Sequence, residues 1–274
     1  MGIRAFPAHT TMRRHRLRAI ATLALALLFC GGCAGLTDKG YWGAGVSWPD
    51  GKRLAESAVK AARNPNTWIP AAGALVFGVT DLDDEVSDWA VDNAPVFGSH
   101  AKSSSDTLRD VATASYVVTA LLAPSDSLKS RASGFLVGGS ALMIDRYTVD
   151  GLKQITGRER PDGSNDRSLP SGHTSLASTS VNMAVGNLSY VDMPGWTRLV
   201  TNVGLYGTAA ATGWARIEAG EHYPSDTLAG YAIGSFIARF MYHAFLESGH
   251  APSVTVSFAP LPGGAMLSLN APLP

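Results

Sequence analysis

Apolar residues recur along the chain in segments typical of buried helices, and Pro, Gly, Asn and Ser separate these segments. The apolar stretches run for about 12 to 15 residues, whereas roughly 20 are needed to cross a membrane. We therefore expect an all-α, compact helical bundle and not a multi-pass membrane protein. The predicted helices cover residues 53–63, 68–79, 83–91, 105–123, 129–153, 172–188, 196–216 and 225–245.

The end of the chain has a different pattern. In "SVTVSFAPLPGGAMLSLNA" apolar and polar residues alternate on both sides of a Pro-Gly-Gly turn, which predicts a short C-terminal β-hairpin. The expected organisation is a leader over residues 1–32, a tether or loop over 33–52, a helical domain over 53–250 and the hairpin extension over 251–274.

The N-terminus has the features of a secretory signal peptide. A basic stretch, "RRHRLR", precedes a short apolar run over residues 19–29 and the junction "CGGCAG". The "GGC" ending resembles a bacterial lipobox and predicts lipidation of Cys33, although Cys30 stands where that pattern has Leu. A plain signal peptide and an uncleaved anchor are the alternatives. The lipoprotein interpretation places the protein in the cell envelope, in the periplasm and anchored to the outer membrane.

Composition and charge narrow the function classes. The chain is 46% hydrophobic and 16% charged, which excludes a disordered protein. Its formal net charge is zero, and five of its 22 basic residues lie in the first 32 positions, where there is no acidic residue. The remaining chain is therefore acidic overall, and no nucleic-acid partner is expected.

Three separated stretches share one chemistry: "KQITGRERP", "PSGH" and "ARIEAGEHYPSD". Together they contribute cationic side chains, two histidines and a carboxylate. Guanidinium and ammonium groups bind phosphate oxygens with charge-assisted hydrogen bonds, and a helix N-terminus adds backbone N–H donors. In "PSGH", Ser171 can cap a helix and Gly172 allows close approach of the backbone. This combination predicts a site for phosphoryl transfer.

The spacing separates the roles of the two histidines. His222 and Asp226 are four residues apart across Pro224, so the carboxylate can fix the imidazole tautomer and leave the other nitrogen free to attack. No acidic residue is close in sequence to His173, which suits a general acid.

These motifs resemble the type 2 phosphatidic acid phosphatase family, which shares its site with bacterial class A acid phosphatases and vanadium haloperoxidases. The family pattern is K-x6-RP, then PSGH, then SR-x5-H-x3-D. Here Lys153 precedes Arg160-Pro161 by the family spacing, PSGH is intact, and Arg216, His222 and Asp226 keep their spacing. The one departure is Ala215, which stands in place of the Ser before the third-motif Arg.

The resemblance implies a metal-independent phosphatase that needs no cofactor. By it, His222 is the nucleophile and forms a phosphohistidine, Asp226 orients His222, and His173 is the general acid. The resemblance assigns phosphate binding to Lys153, Arg160, Ser171, Gly172 and Arg216. Arg158 would have only a supporting role.

The expected substrate is a phosphate monoester or pyrophosphate, with a lipid preferred because of the family and the expected membrane anchor. Broad-specificity hydrolysis of soluble monoesters, a vanadium-dependent haloperoxidase and a non-catalytic envelope lipoprotein remain as alternatives. The sequence does not predict an oligomeric state. An acidic run, "DLDDEVSDWAVD", lacks the Gly and the spacing of an EF-hand and is interpreted as a helix start with a solvated face.

Overall fold

The computed structural model describes residues 37–247, 255–261 and 264–270. Eight α-helices form the described bundle: α1 Gly51–Ala62, α2 Pro65–Gly78, α3 Leu82–Asn93, α4 Ala101–Leu122, α5 Leu128–Thr156, α6 Gly172–Leu188, α7 Gly195–Glu218 and α8 Pro224–Met241. A 3-10 turn, Gly98–His100, precedes α4, and a π-helical turn, Tyr242–Leu246, follows α8. Each predicted helix is confirmed, with ends that differ by a few residues.

Two strands follow the bundle, β1 Thr255–Leu261 and β2 Gly264–Asn270, and they pair antiparallel from Thr255 opposite Asn270 to Leu261 opposite Gly264. The turn between them, at positions 262–263, lies outside the described residues. The predicted leader over 1–32 and the predicted lipidation site Cys33 also lie outside them.

Side-chain caps explain where several helices begin. The Asp50 carboxylate accepts a hydrogen bond from the backbone N–H of Arg53 at 2.7 Å and caps α1. Ser127 does the same for α5 by accepting from the N–H of Ser130 at 3.1 Å. At its other end α5 stops at Gly157, whose positive φ of 52° favours glycine. These local signals place the C-terminal end of α5, which carries Lys153, at a defined position.

Residues 37–50 of the predicted tether are irregular but packed against the bundle, and α1 begins at Gly51, so the irregular segment ends two residues before the predicted end of the tether. Trp42 is fully buried, and its ring meets that of Phe135 nearly edge-on at a centroid distance of 5.7 Å. Its backbone N–H donates to the carbonyl of Pro124 at 2.7 Å. Among the residues that the structure describes, no helix is long and apolar enough to cross a membrane.

Helices α6 and α8 approach each other closely, and glycines make this possible. A Cβ atom on Gly230 would overlap the carbonyl oxygen of Ser171, and one on Gly234 would overlap that of Ser175. At the same contact the N–H of Ser171 donates to the carbonyl of Asp226 at 2.9 Å. The PSGH segment is therefore fixed against the first turn of α8.

We expect Gly230→Ala to lower the free energy of unfolding by about 1–3 kcal/mol, because its methyl group would push α8 away from Ser171. Gly204 is the matched control, since it is also in a helix but a Cβ there would meet no atom within 4 Å. Gly204→Ala should be neutral or stabilise the protein by about 0.5–1 kcal/mol. Urea denaturation measures both; equal effects of the two variants would contradict the close-approach account.

Candidate active site

The predicted site residues lie at the ends of four helices and in the two loops that connect them. Lys153 is in the last turn of α5 and Arg160 in the α5–α6 loop, while Ser171 precedes α6. Arg216 is in the last turn of α7. His222 lies in the α7–α8 connection, the second of the two loops. Gly172 and His173 open α6, and Asp226 is in the first turn of α8.

His222 is 1% exposed, and its Nδ1 lies 3.6 Å from Oδ2 of Asp226. Burial lowers the pKa of His222 to about 4, and this effect outweighs the neighbouring carboxylate, which raises it. The imidazole is therefore neutral at neutral pH. With Nδ1 facing the carboxylate, Nε2 is the nitrogen that is free to react.

Asp226 is held by several donors. Its Oδ1 accepts from Nη1 of Arg158 at 2.9 Å, and its Oδ2 accepts from the Ser168 hydroxyl at 2.5 Å and from the N–H of Tyr223 at 3.0 Å. Burial raises the pKa of Asp226, but these hydrogen bonds, the contact with His222 and the charge of Arg158 together lower it below its usual value. The carboxylate therefore stays ionised and fixed beside His222.

Arg158 links Asp226 to the acidic run. Its Nη2 donates to Oδ2 of Asp83 at 2.7 Å, and Oδ1 of Asp83 accepts from the N–H of Ser225 at 2.8 Å. Asp83 is only 3% exposed. The acidic run does begin a helix, α3, but its interpretation as a solvated face is wrong at Asp83, because this carboxylate satisfies buried donors at the start of α8.

His173 has a carboxylate partner that its sequence neighbours do not reveal. Its Nε2 lies 2.9 Å from Oδ1 of Asp106 and 2.7 Å from Nη1 of Arg109, both on α4. When protonated, this nitrogen can donate to Asp106; when unprotonated, it can accept from Arg109. The expectation that no acid lies near His173 is therefore wrong in space. Burial, together with the charge of Arg216, lowers the pKa of His173 to about 4.

Lys153 points its ammonium group at backbone carbonyls. Its Nζ donates to the carbonyl of Arg167 and, at 3.3 Å, to that of Ser168. Burial and then the charge of Arg160 lower the pKa of Lys153 to about 8. The amine is therefore a cation near neutral pH, and carbonyl groups hold it without neutralising it.

Arg160 and Arg216 converge on a residue that the sequence reasoning missed. Nη1 of Arg160 donates to Oε2 of Glu221 at 2.5 Å, and Nη2 of Arg216 donates to the same oxygen. Burial raises the pKa of Glu221, but its hydrogen bond from Lys102 and the charges of the two arginines lower it to about 2. The only signal in the sequence was an acidic residue directly before His222.

Ser171 occupies the N-cap position of α6, as predicted, but its side chain does not cap the backbone. Its hydroxyl instead accepts from the Thr174 hydroxyl at 3.0 Å. The first-turn N–H groups of α6 have no partner within the helix, so Gly172 and its neighbours can donate to an anion. A Cβ on Gly172 would lie 3.4 Å from Val149 and 4.0 Å from Cε of Lys153, so this position is close to the ammonium group.

Two comparisons with known proteins concern the segment that carries the three motifs. The family model of the PAP2 superfamily matches residues 134–250, the segment that carries all three motifs. Residues 134–250 are therefore similar to the PAP2 superfamily. A lipid A 1-phosphatase of Porphyromonas gingivalis is 32% identical to this chain over 115 residues. That match covers 42% of this chain and 23% of the relative, so the chain spans about a quarter of that protein. No solved structure matches the chain.

The PAP2 segment carries most of the described site, but α4 adds to it from outside. Asp106 and Arg109, which contact His173, and Lys102, which contacts Glu221, precede residue 134. No group of three His, Cys, Asp or Glu side chains that could hold a metal ion is found among the described residues. The chemistry open to the assembled side chains is binding of an anion beside two neutral imidazoles.

We expect Arg216→Gln to raise the pKa of both His173 and His222 above about 4, since the charge of Arg216 lowers both. Removal of a positive charge makes protonation of each imidazole easier. NMR titration of the histidine rings, assigned with single His variants, measures the shifts. The control is Arg146→Gln on the exposed face of α5, which should change neither pKa. A pKa shift in only one of the two histidines would contradict the conclusion that the charge of Arg216 acts on both.

Proposed function

We propose that this protein is a phosphatase that transfers the phosphoryl group of its substrate to His222 and then to water. The observation that carries this proposal is the buried His222, whose Nδ1 faces Asp226 and whose pKa is lowered by burial and by the charges of Lys153 and Arg216. A neutral imidazole beside fixed cations suits attack on a phosphate ester, because the cations neutralise its charge.

In the first step Nε2 of His222 attacks phosphorus and the bond to the leaving oxygen breaks. His173 donates its Nε2 proton to that oxygen. The pKa of His173 is about 4 in the protein alone, but a bound phosphate dianion raises it because negative charge favours the imidazolium. Asp106, which can accept from the protonated nitrogen, helps to hold the proton until the bond breaks.

In the second step water attacks the phosphohistidine. His173, now neutral, accepts a proton from the water, and the phosphorus–nitrogen bond breaks to release phosphate and restore His222. Lys153, Arg160, Arg216 and the N–H groups at the start of α6 hold the phosphoryl oxygens in both steps. None of these transfers requires a metal ion or another cofactor.

We further propose that the substrate is a lipid phosphate. A cavity of about 600 Å³ lies beside the site, and Thr174 and Thr227 in its wall directly follow His173 and Asp226 in sequence. The cavity also has an apolar lining that includes Ile69, Pro70, Phe77, Leu228 and Tyr231. An acyl chain fits such a surface, and the name of the matched relative, lipid A 1-phosphatase, agrees with a lipid substrate.

A lipid substrate also agrees with a place in the cell envelope. We propose that the protein is periplasmic and that a lipid on Cys33 anchors it to the outer membrane. This arrangement would hold the site near membrane lipids without any membrane-spanning helix among the described residues.

We expect purified protein to release phosphate from p-nitrophenyl phosphate in the presence of EDTA, and His222→Ala to lose at least about a thousandfold of this activity. His173→Asn should lose about a hundredfold or more on an alkyl phosphate but much less on p-nitrophenyl phosphate, whose leaving oxygen needs little protonation. His243→Gln is the control, because His243 pairs with Glu247 in the π-helical turn, outside the site. Full activity of His222→Ala would refute the proposed nucleophile.

The lipid proposal is tested by partly filling the cavity. Gly207 lines it and has no atom within 4 Å of an added Cβ, so Gly207→Leu should raise KM for a long-chain phosphatidic acid about tenfold. The activity on p-nitrophenyl phosphate should not change. Gly204→Leu, one turn earlier with equal space, is the control and should affect neither substrate. If Gly207→Leu leaves both KM values unchanged, the cavity does not bind the lipid chain.

A further inference from the structure

One carboxylate oxygen takes hydrogen bonds from two arginines of the site. Oε2 of Glu221 accepts from Nη1 of Arg160 at 2.5 Å and from Nη2 of Arg216. Both arginines bind phosphate in the proposed function, on which this inference rests. A phosphate oxygen needs the same N–H donors, and a donated N–H cannot serve two anions fully. Glu221 and a bound phosphate therefore compete.

Burial makes this competition strong. Glu221 is 3% exposed and Arg216 is also 3% exposed, so water screens their attraction only weakly. Two negative groups cannot share this place without strong repulsion. Phosphate binding therefore requires the carboxylate to leave the two arginines.

The structure provides a partner for the carboxylate when it leaves. Nζ of Lys102, at the start of α4, lies 2.6 Å from Oε1, the other oxygen of Glu221. The Lys102 side chain is 75% exposed, whereas Arg216 is buried and Arg160 is half-buried. Rotation of the Glu221 side chain toward Lys102 would keep one ion pair and free two guanidinium groups.

We propose that Glu221 is an internal competitor of the phosphate group. Its carboxylate binds Arg160 and Arg216 until a phosphate displaces it, and Lys102 then holds the displaced carboxylate. This makes Glu221 a specificity-determining residue. A phosphate monoester, with two charges and several oxygens, can replace the carboxylate. An anion with a single charge, such as a carboxylate or a phosphodiester, gains too little binding energy from the arginines to replace the carboxylate of Glu221.

Calorimetric titration of the full chain with inorganic phosphate tests this proposal without catalysis. Glu221→Gln should bind phosphate about tenfold more tightly than the unmodified protein, because the neutral amide competes poorly for the arginines. The matched control is Asp162→Asn, which removes one negative charge from the exposed α5–α6 loop. Its carboxylate accepts from the N–H of Ser164 at 3.0 Å, and this variant should change phosphate affinity by less than about twofold.

Substitution of Lys102 gives a second test, which leaves Glu221, Arg160 and Arg216 unchanged. Lys102→Gln should weaken phosphate binding about threefold, since the displaced carboxylate depends on Lys102, whereas before displacement the two arginines also bind it. In the Glu221→Gln background the same change should have no effect, because Lys102 acts through Glu221. An equal effect of Lys102→Gln in both backgrounds would mean that Lys102 binds phosphate directly and would overturn the assigned role.

The remaining outcomes separate this inference from the proposed function. If the unmodified protein binds phosphate and Glu221→Gln binds it no more tightly than Asp162→Asn does, the competition is refuted and the phosphatase proposal stands. Weaker binding by Glu221→Gln would show that the carboxylate orders the arginines and would also refute the competition. Phosphate binding that is detected in Glu221→Gln but not in the unmodified protein supports the competition. If neither protein binds phosphate, both proposals fail.

Discussion

The contact between the starts of α6 and α8 is the constraint on which the site depends. The N–H of Ser171 donates to the carbonyl of Asp226, and Gly230 lets the backbone of α8 approach Ser171. This contact fixes the two histidines relative to each other, because His173 follows Ser171 by two residues and His222 faces Asp226. Helices α5 and α7 then need only to bring their C-terminal ends, with Lys153 and Arg216, to the same place.

Burial and charge act together on this arrangement. Both catalytic candidates, His173 and His222, have a pKa lowered to about 4, mainly by burial. The pKa of Lys153 is lowered only to about 8. Around neutral pH the two imidazoles are therefore neutral, while the side chains that would bind an anion are positively charged. A dianion would reduce the excess positive charge and raise the pKa of His173, which couples substrate binding to protonation of the general acid.

The sequence predicts the helices well because apolar periodicity and Pro or Gly breaks are local signals. It also predicts the residues within the three motifs, which the structure brings together. It does not predict Asp106, Asp83 or Glu221 as partners of His173, Arg158 and the arginines. Asp106 and Asp83 reach the site from helices distant in the chain, and only packing shows the contact. Glu221 lies inside a motif, but the direction of its side chain depends on where Arg160 and Arg216 are placed.

The most direct test of the central claim is to trap the covalent intermediate on His222. The full chain would be mixed with p-nitrophenyl phosphate, quenched rapidly in alkali to preserve a phosphorus–nitrogen bond, digested and analysed by mass spectrometry. The account predicts a phosphorylated peptide whose modified residue is His222, and its absence in His222→Ala. Rapid phosphate release with no modified histidine, or with phosphate on a different residue, would contradict the account.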